Sequence, residues 1–355
     1  MQARAVTFIA PHAVELRERE VPKPRGGQLL VRTLYSGISA GTELLAYRGD
    51  IDPQLPLDSS ISALADRFTY PFQYGYSCVG RVERSQAAFD AGDIIFAFHP
   101  HQDLFVVDAG DAVALGSVDP RLGTFFPLVE TSLQITLDAG EVLEQPVVVI
   151  GLGAVGILTA ALLLRAGARV LAAEPKPWRQ EAAAKFGINT VLPKDLERSV
   201  MAETRGAGVP LVIEVSGNPA VLGGALPLLA HEGTALVASW YGVRPVTLPL
   251  GGEFHRRRLT IRSTQVSTIP ARLASTWTRD RRRATVARLL EELPLQVLAT
   301  HVFPFDDPAA AYDALSRGEP GLLHAAFAYP IYRSLDADCG IWRSENSSLH
   351  PDCSP

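Results

Sequence analysis

Cysteine is scarce in this chain, which has three cysteines (Cys78, Cys339 and Cys353) in 355 residues. They are too few and too scattered for a disulfide framework, so we expect a reducing, cytoplasmic location. No apolar run approaches the length of a membrane span, and the first residues do not resemble a signal peptide. The net charge is −5 and basic residues form no extended patch, so we expect no nucleic acid partner.

The most informative motif is a glycine-rich loop between an apolar strand and an apolar helix. The strand candidate is Val147–Ile150, and the segment after the loop is typical of a helix. The loop has the pattern G-x-G-x-x-G, in which the glycines permit a tight turn, approach to a pyrophosphate and close helix packing. The predicted cofactor contacts in this loop are Gly151, Leu152, Gly153, Ala154, Val155 and Gly156.

An acidic residue follows the next strand candidate at the expected spacing. Glu174 ends the segment that begins at Arg169, and a carboxylate there can bind the adenosine ribose hydroxyls and repel a 2′-phosphate. This favours NAD over NADP. Arg179 is a further cofactor-contact candidate, and with Lys176 it leaves NADP open because a cation could hold the 2′-phosphate. Ser216 and Ser239 end later strands and are predicted to line the cofactor groove.

The pattern of the chain changes twice. Residues 1–128 are rich in short strand candidates, whereas strand and helix candidates alternate from Pro146 to Ser263, including a helix over Ala220–Ala230. Such alternation predicts a doubly wound parallel sheet of the Rossmann type, giving an α/β protein. We therefore divide the chain into a catalytic domain (1–128), an NAD-binding domain (129–265), a part completing the catalytic domain (266–330) and a disordered tail (331–355).

Together these segments resemble the medium-chain dehydrogenase/reductase superfamily. The resemblance rests on the glycine loop and on three further segments with family-like sequences, 36–43, 71–82 and 91–95. It implies a Rossmann domain inserted in a β-rich, GroES-like catalytic domain, and a homodimer acting on a small-molecule substrate. Within the superfamily the motifs are most similar to those of a zinc-lacking branch that includes bacteriochlorophyllide dehydrogenase, and to sorbitol and threonine dehydrogenase relatives.

The expected zinc ligands are missing. Ser39 and Tyr76 stand where zinc alcohol dehydrogenases carry a cysteine and a histidine, and Glu130 falls near the third ligand position. Hydroxyl groups are poor zinc ligands, so no metal site is predicted. His99 and His101 form an H-x-H pair that could chelate a metal, but no third ligand lies nearby in sequence, and loop packing is the favoured interpretation.

Without zinc, side chains must perform the acid–base chemistry. The family's relay role corresponds to Thr42, with Ser39, Tyr76 and Glu130 as the other catalytic candidates. The sequence thus predicts a zinc-independent, NAD-dependent oxidoreductase that interconverts a secondary alcohol and a ketone, such as a polyol, cyclitol, sugar or biosynthetic intermediate. Two alternatives stay open: an NADPH-dependent quinone or enoyl reductase, and a catalytically silent nucleotide-binding sensor.

Overall fold

The computed structural model describes residues 1–330 and the backbone of two short strands beyond them, Tyr332–Ser334 and Trp342–Ser344. Most of the predicted tail therefore lies outside the described residues. The strands of the described chain are β1 (Gln2–Ala10), β2 (Ala13–Glu20), β3 (Gln28–Ile38), β4 (Phe72–Gln73), β5 (Cys78–Ser85), β6 (Ile94–Ala97), β7 (Leu104–Asp108), β8 (Ala112–Ala114), β9 (Pro146–Ile150), β10 (Arg169–Ala173), β11 (Asn189–Val191), β12 (Val209–Glu214), β13 (Leu229–Val237), β14 (Thr260–Ser263), β15 (His301–Pro304), β16 (Ala325–Ala328), β17 (Tyr332–Ser334) and β18 (Trp342–Ser344).

Eight of the nine helices of the described residues lie after residue 119. The helices are α1 (Ala40–Arg48), α2 (Pro120–Gly123), α3 (Phe126–Ala139), α4 (Ala154–Arg165), α5 (Pro177–Ala184), α6 (Leu196–Glu203), α7 (Val221–Ala225), α8 (Arg279–Glu292) and α9 (Pro308–Arg317). Short 3₁₀ turns connect several of them. In the part of the chain that the structure describes, no helix is both long enough and apolar enough to cross a membrane.

A six-stranded parallel sheet forms the centre of the second domain. Its strand order is β11-β10-β9-β12-β13-β14, which is the doubly wound order of dinucleotide-binding domains. The central strand β9 is buried on both faces: Val147 and Val149 pack into one apolar core, and Val148 and Ile150 into another. Helices therefore cover both faces of the sheet, as parallel strands require. The predicted α/β Rossmann fold is confirmed.

The β-rich part contains a seven-stranded sheet and a three-stranded sheet. The larger sheet runs β15-β16-β3-β5-β6-β8, with β7 also pairing with β3, and the smaller runs β2-β1-β4. β16 pairs antiparallel with β3, so the end of the described chain returns to the first domain. The preceding helix α8 packs instead on α3. The exact domain boundaries stay a prediction.

One predicted helix is shorter than expected. The segment Ala220–Ala230 forms α7 only as far as Ala225, then a 3₁₀ turn, and strand β13 begins at Leu229. Gly223 and Gly224 weaken the helix, and Pro227 has no amide hydrogen with which to continue it. The helical prediction for the second half of this segment was wrong for that reason.

The two domains meet through the chain that follows β13. The Val243 N–H donates to the Asp50 carbonyl over 2.9 Å, and the Trp240 ring lies 5.9 Å from the Phe68 ring. Gly242 has a φ of +61°, and a Cβ on it would overlap the Asp50 carbonyl oxygen. Only glycine fits here without displacing one domain from the other.

This close approach makes Gly242→Ala strongly destabilising. We expect a loss of about 2 kcal/mol or more, because an alanine is strained in the left-handed region and the adjacent hydrogen bond is displaced. Chemical unfolding measures the change. Gly224→Ala is the matched control, since Gly224 has open space around its Cα and lies in a helix. Equal stabilities of the two variants would contradict the prediction.

Candidate functional site

The predicted glycine loop joins β9 to α4 at the carboxyl edge of the parallel sheet. Gly151 has a φ of +100°, and a Cβ there would lie 2.5 Å from the Ser216 Cα. A Cβ on Gly156 would overlap the Gly151 carbonyl, so this contact sets how closely α4 approaches the loop. Gly153 is the N-cap of α4, offers no capping side chain, and has open space beside its Cα. The first N–H groups of α4, from Ala154 onward, therefore face a cradle suited to a phosphate.

Glu174 supports this loop from below. Its buried carboxylate accepts the Leu152 N–H over 2.9 Å and the Lys176 N–H over 3.0 Å. An Arg179 guanidinium nitrogen lies 3.6 Å from the same carboxylate, and the guanidinium stacks on the Trp178 ring. The Arg179 Nε is buried and has no hydrogen-bond partner among the described residues. The structure thus brings together Glu174, which favours NAD, and Arg179, which would favour NADP.

Ser216 and Ser239 lie at the same edge of the sheet. The Ser239 hydroxyl accepts the Gly217 N–H over 2.8 Å, and the Ser216 hydroxyl accepts the Asn218 N–H over 3.1 Å. The fully buried Glu214 accepts hydrogen bonds from Ser216 and from the Tyr241 hydroxyl. Burial, and then the hydrogen bond to Glu214, raise the pKa of Tyr241. Both serines therefore hold the loops beside Gly151 in place.

Three hydroxyl side chains meet in the β-rich domain. β3 pairs antiparallel with β5, with Ser36 opposite Cys78, so the residue that follows β3 lies close to the residue that precedes β5. Ser39 is the N-cap of α1, Thr42 lies in its first turn, and the Tyr76 hydroxyl donates to Thr42 Oγ1 over 3.4 Å. Ser39, Thr42 and Tyr76 are called the hydroxyl cluster below.

Within the hydroxyl cluster, the Tyr76 phenol is a weak acid. Burial raises the pKa of Tyr76 to about 12, and hydrogen bonds with the Ser39 and Thr42 hydroxyls act in the opposite direction. The phenol is therefore protonated at neutral pH and can donate a hydrogen bond to a bound oxygen atom.

Glu130, one of the predicted catalytic residues, lies in a buried ion pair. Its buried carboxylate pairs with Arg282 Nε over 3.0 Å, and the same guanidinium donates to Gln134 over 2.7 Å. The guanidinium donates a charge-assisted hydrogen bond to one of the carboxylate oxygens, so that oxygen is already occupied. This ion pair joins α3 to α8, and it gives Glu130 a structural role in place of the expected one as proton acceptor.

The two histidines of the H-x-H pair diverge. His99 Nδ1 lies 3.0 Å from the Pro100 carbonyl, and its ring stacks on Phe105, whereas His101 faces Glu43. Burial lowers the pKa of His99 to about 4. Among the residues that the structure describes, no three His, Cys, Asp or Glu side chains are grouped so that they could hold a metal ion.

Sequence reasoning missed the partners of Glu43. His101 and the hydroxyl of Tyr312 both contact this buried carboxylate, across 58 and 269 residues of sequence. Tyr312 lies in α9, and no local pattern could have linked that helix to α1.

Comparison with known proteins agrees with this architecture. A family model described as zinc-binding dehydrogenase matches residues 154–280. L-threonine 3-dehydrogenase from Pyrococcus horikoshii is 26% identical, with 87% of this chain and 94% of that protein covered. The 2-desacetyl-2-hydroxyethyl bacteriochlorophyllide A dehydrogenase of Cereibacter sphaeroides is 25% identical, with 88% and 94% covered. The match to L-threonine 3-dehydrogenase from Bacillus velezensis is shorter and spans 57% of that protein.

The fold is also shared with a solved structure. 2R,3R-butanediol dehydrogenase from Bacillus subtilis has a TM-score of 0.74 at 19% identity, with 92% of this chain and 99% of that chain covered. The family model and the long relatives show that this chain is similar to the zinc-type alcohol dehydrogenase-like proteins of the medium-chain dehydrogenase/reductase superfamily. The resemblance inferred from the sequence motifs is confirmed at this level.

The buried ion pair predicts a large effect of a single substitution. Arg282→Met leaves the Glu130 carboxylate buried without its partner, and we expect a loss of about 3–5 kcal/mol in the free energy of unfolding. Combining it with Glu130→Met removes the stranded charge and should recover most of the loss.

The matched control lies on the same helix. Arg288→Met breaks the solvent-exposed pair with Glu292, and it should change stability little. Chemical unfolding of the four proteins makes the comparison. A double variant no more stable than Arg282→Met would contradict the assignment of the loss to an unpaired charge.

Proposed function

We propose that this protein is a zinc-independent, NAD(H)-dependent oxidoreductase that interconverts a secondary alcohol and a ketone. The observation that carries the proposal is the hydroxyl cluster, which combines with a phosphate cradle in the same chain. The relatives of this chain support the reaction class, because the two long relatives described above are both named as dehydrogenases. We propose a small-molecule substrate such as a polyol, cyclitol, sugar or biosynthetic intermediate, and a cytoplasmic homodimer.

Within the hydroxyl cluster, Tyr76 is the proposed acid–base group. Its phenol retains the proton at neutral pH, so it can hydrogen-bond a ketone oxygen and donate the proton as that oxygen gains charge. Thr42 accepts the hydrogen bond of the phenol over 3.4 Å and is the next group of the relay. Ser39 is the third hydroxyl and orients the substrate. In alcohol oxidation the proton moves in the opposite direction.

The donor chemistry of the site does not fit zinc. Zinc prefers thiolate, imidazole or carboxylate ligands, whereas Ser39 and Tyr76 offer neutral hydroxyl groups. Glu130, the carboxylate near the family's third ligand position, is paired with the Arg282 guanidinium. We therefore assign no step of the proposed mechanism to a metal.

The loop residues fit a dinucleotide. The N–H groups from Ala154 to Gly156 would hold the pyrophosphate, with Leu152 and Val155 beside it, and Ser216 and Ser239 would shape the groove. When bound, nicotinamide supplies or accepts the hydride. Glu174 lies beneath Leu152 and places a buried negative charge at the strand end where the adenosine ribose is expected, which favours NAD.

One observation supports the alternative cofactor. The buried Nε of Arg179 has no partner among the described residues, and Arg179 and Lys176 both lie against the Trp178 ring. A 2′-phosphate could bind these cations, as an NADPH-dependent quinone or enoyl reductase would require. The ion pair of Arg179 with Glu174 opposes this second candidate, because it already balances the charge of the arginine.

The cofactor proposal predicts tighter binding of NADH than of NADPH. Glu174→Gln removes the charge with little change in shape, so we expect NADH binding to weaken about tenfold, equivalent to about 1.4 kcal/mol, and the preference for NADH to narrow. Titration of each nucleotide by its fluorescence gives both affinities. Glu181→Gln, an exposed substitution in the neighbouring helix, is the control and should leave them unchanged. Tighter NADPH binding by the unaltered protein would favour the reductase alternative.

The acid–base proposal predicts a large loss of turnover in Tyr76→Phe. We expect kcat to fall about 10²–10³-fold, which is typical for removal of a general acid, with nucleotide affinity unchanged. Thr42→Val should have a smaller effect of the same kind. Following NADH absorbance with a panel of secondary alcohols, ketones and enones measures both.

Tyr74→Phe is the matched control, because Tyr74 is buried and its ring lies 6.0 Å from the Tyr76 ring. It should retain most of the activity. Metal analysis of the same preparations should find no stoichiometric zinc, and a chelator should not inhibit. Zinc-dependent turnover that survives Tyr76→Phe would refute the mechanism, and nucleotide binding without turnover of any substrate would favour the sensor alternative.

A further inference from the structure

A buried carboxylate lies directly behind the hydroxyl cluster. Glu43 is fully buried and accepts three hydrogen bonds. The Tyr312 hydroxyl donates to Oε2 over 2.6 Å, His101 Nε2 lies 2.9 Å from the same oxygen, and the Ser39 N–H donates to Oε1 over 2.8 Å. A buried charge is tolerated only when such partners surround it. These three groups therefore fix the position of the carboxylate.

The His101 ring is oriented from both sides. Its Nδ1 lies 2.7 Å from the Ser36 hydroxyl oxygen, which is itself 2.8 Å from the Tyr329 hydroxyl. His101 Nε2 faces the Glu43 carboxylate and Nδ1 faces the Ser36 hydroxyl, so each ring nitrogen has a hydrogen-bond partner. The ring also stands edge-on to Phe327, with centroids 5.1 Å apart. His101 is thus held by hydrogen bonds at both nitrogens and by packing against the Phe327 ring.

The same ring contacts the backbone next to Tyr76. Gly75 has a φ of +102°, and a Cβ built on it would lie 2.5 Å from His101 Cδ2. The imidazole fills the space that a side chain at Gly75 would need. Any change in the volume of His101 is therefore transmitted to the residue that precedes Tyr76.

The two contacts of His101 reach both sides of the hydroxyl cluster. Glu43 binds the N–H of Ser39, the N-cap of α1, in the manner of a capping box, and Thr42 directly precedes Glu43 in that helix. Gly75 directly precedes Tyr76. One imidazole therefore lies between the start of α1 and the loop that carries the phenol.

We propose that His101 is a positioning residue, which sets the distance between Thr42 and Tyr76 by acting through Glu43 and Gly75. This inference rests on the proposed function, because it takes the hydroxyl cluster as the acid–base group. His101 itself is fully buried and is not proposed to contact substrate. Small displacements of reacting groups are costly: a shift of about 1 Å can reduce a rate about 100-fold.

Two substitutions of His101 separate the hydrogen bond from the volume. His101→Leu keeps the approximate volume of the side chain but removes its hydrogen-bonding nitrogens, whereas His101→Gln retains an N–H donor. We expect kcat to fall about 10–100-fold in the leucine variant, with less than a twofold change in KM for NADH. The glutamine variant should recover most of the lost turnover. Equal kcat values in His101→Leu and the unaltered protein would overturn the proposal.

A second pair of variants tests the network without changing His101. Tyr312→Phe removes the hydroxyl that donates to Glu43 Oε2 beside His101. We expect a several-fold loss of kcat at unchanged KM for NADH. Tyr47→Phe is the matched control: its ring stacks on Tyr312 at 5.4 Å, but its hydroxyl donates to Asp313 over 2.6 Å. An equal loss in both variants would show general loosening of the packing, and it would contradict the proposed role of Glu43.

Amide hydrogen exchange gives a readout that needs no substrate. The amides of residues 39–45 should exchange at least several-fold faster in His101→Leu and Tyr312→Phe than in His101→Gln and Tyr47→Phe. If the unaltered protein binds NADH and turns over no substrate, the proposed function fails, but this pattern of exchange would still support the positioning of α1. Equal exchange rates in all four variants would overturn the proposed positioning of α1. If His101→Leu does not fold, the comparison of Tyr312→Phe with Tyr47→Phe decides the question.

Discussion

The close contact between Gly156 and the Gly151 carbonyl is the constraint on which the second domain depends. β9 is the central strand and is buried on both faces. It ends at Ile150, and α4 begins at Ala154, so the chain must turn within three residues. The absence of side chains at Gly151 and Gly156 lets α4 begin directly beside the strand. As a result the first N–H groups of α4 and the ends of β10, β12 and β13 lie at one edge of the sheet. The phosphate cradle is a consequence of this packing rather than an addition to it.

A second constraint acts in the β-rich domain, where a carboxylate is buried. A carboxylate is costly to bury without hydrogen-bond partners, and those of Glu43 come from three separate parts of the chain: the start of α1, the loop before β7, and α9. Satisfying one buried charge therefore brings the last helix of the described chain against the first. Ser39 and Thr42 of the hydroxyl cluster belong to the same helix start, and Glu43 binds the Ser39 N–H, so the geometry of the cluster depends on the same carboxylate.

These two sites differ in how much of them the sequence could predict. The glycine loop and Glu174 are separated by fewer than 25 residues, and each is recognisable by a local pattern of strand, turn and helix. The loop was therefore assigned residue by residue, and the parallel sheet followed from the alternation of strands and helices. The end of α7 was misjudged because apolar residues continue through Pro227 into β13, and periodicity alone cannot distinguish a buried helix from a buried strand over so short a stretch.

The partners of Glu130 and Glu43 could not be predicted, because they come from helices 152 and 269 residues away. Both glutamates were visible in the sequence, but their roles depend on which donor meets them after folding. Glu130 meets a guanidinium and joins two helices. Glu43 meets a hydroxyl, an imidazole and a backbone N–H, and it holds a helix start.

This difference bears on the proposal that the site works without zinc. Burial of a carboxylate is costly, and apolar packing can serve stability as well. Here the charge and all three of its donors are present, and they converge on the turn that carries Ser39 and Thr42. Under the proposed function, this arrangement serves to fix the positions of those two hydroxyl groups. Under the proposed function, these hydrogen-bonding side chains would take the place of a metal.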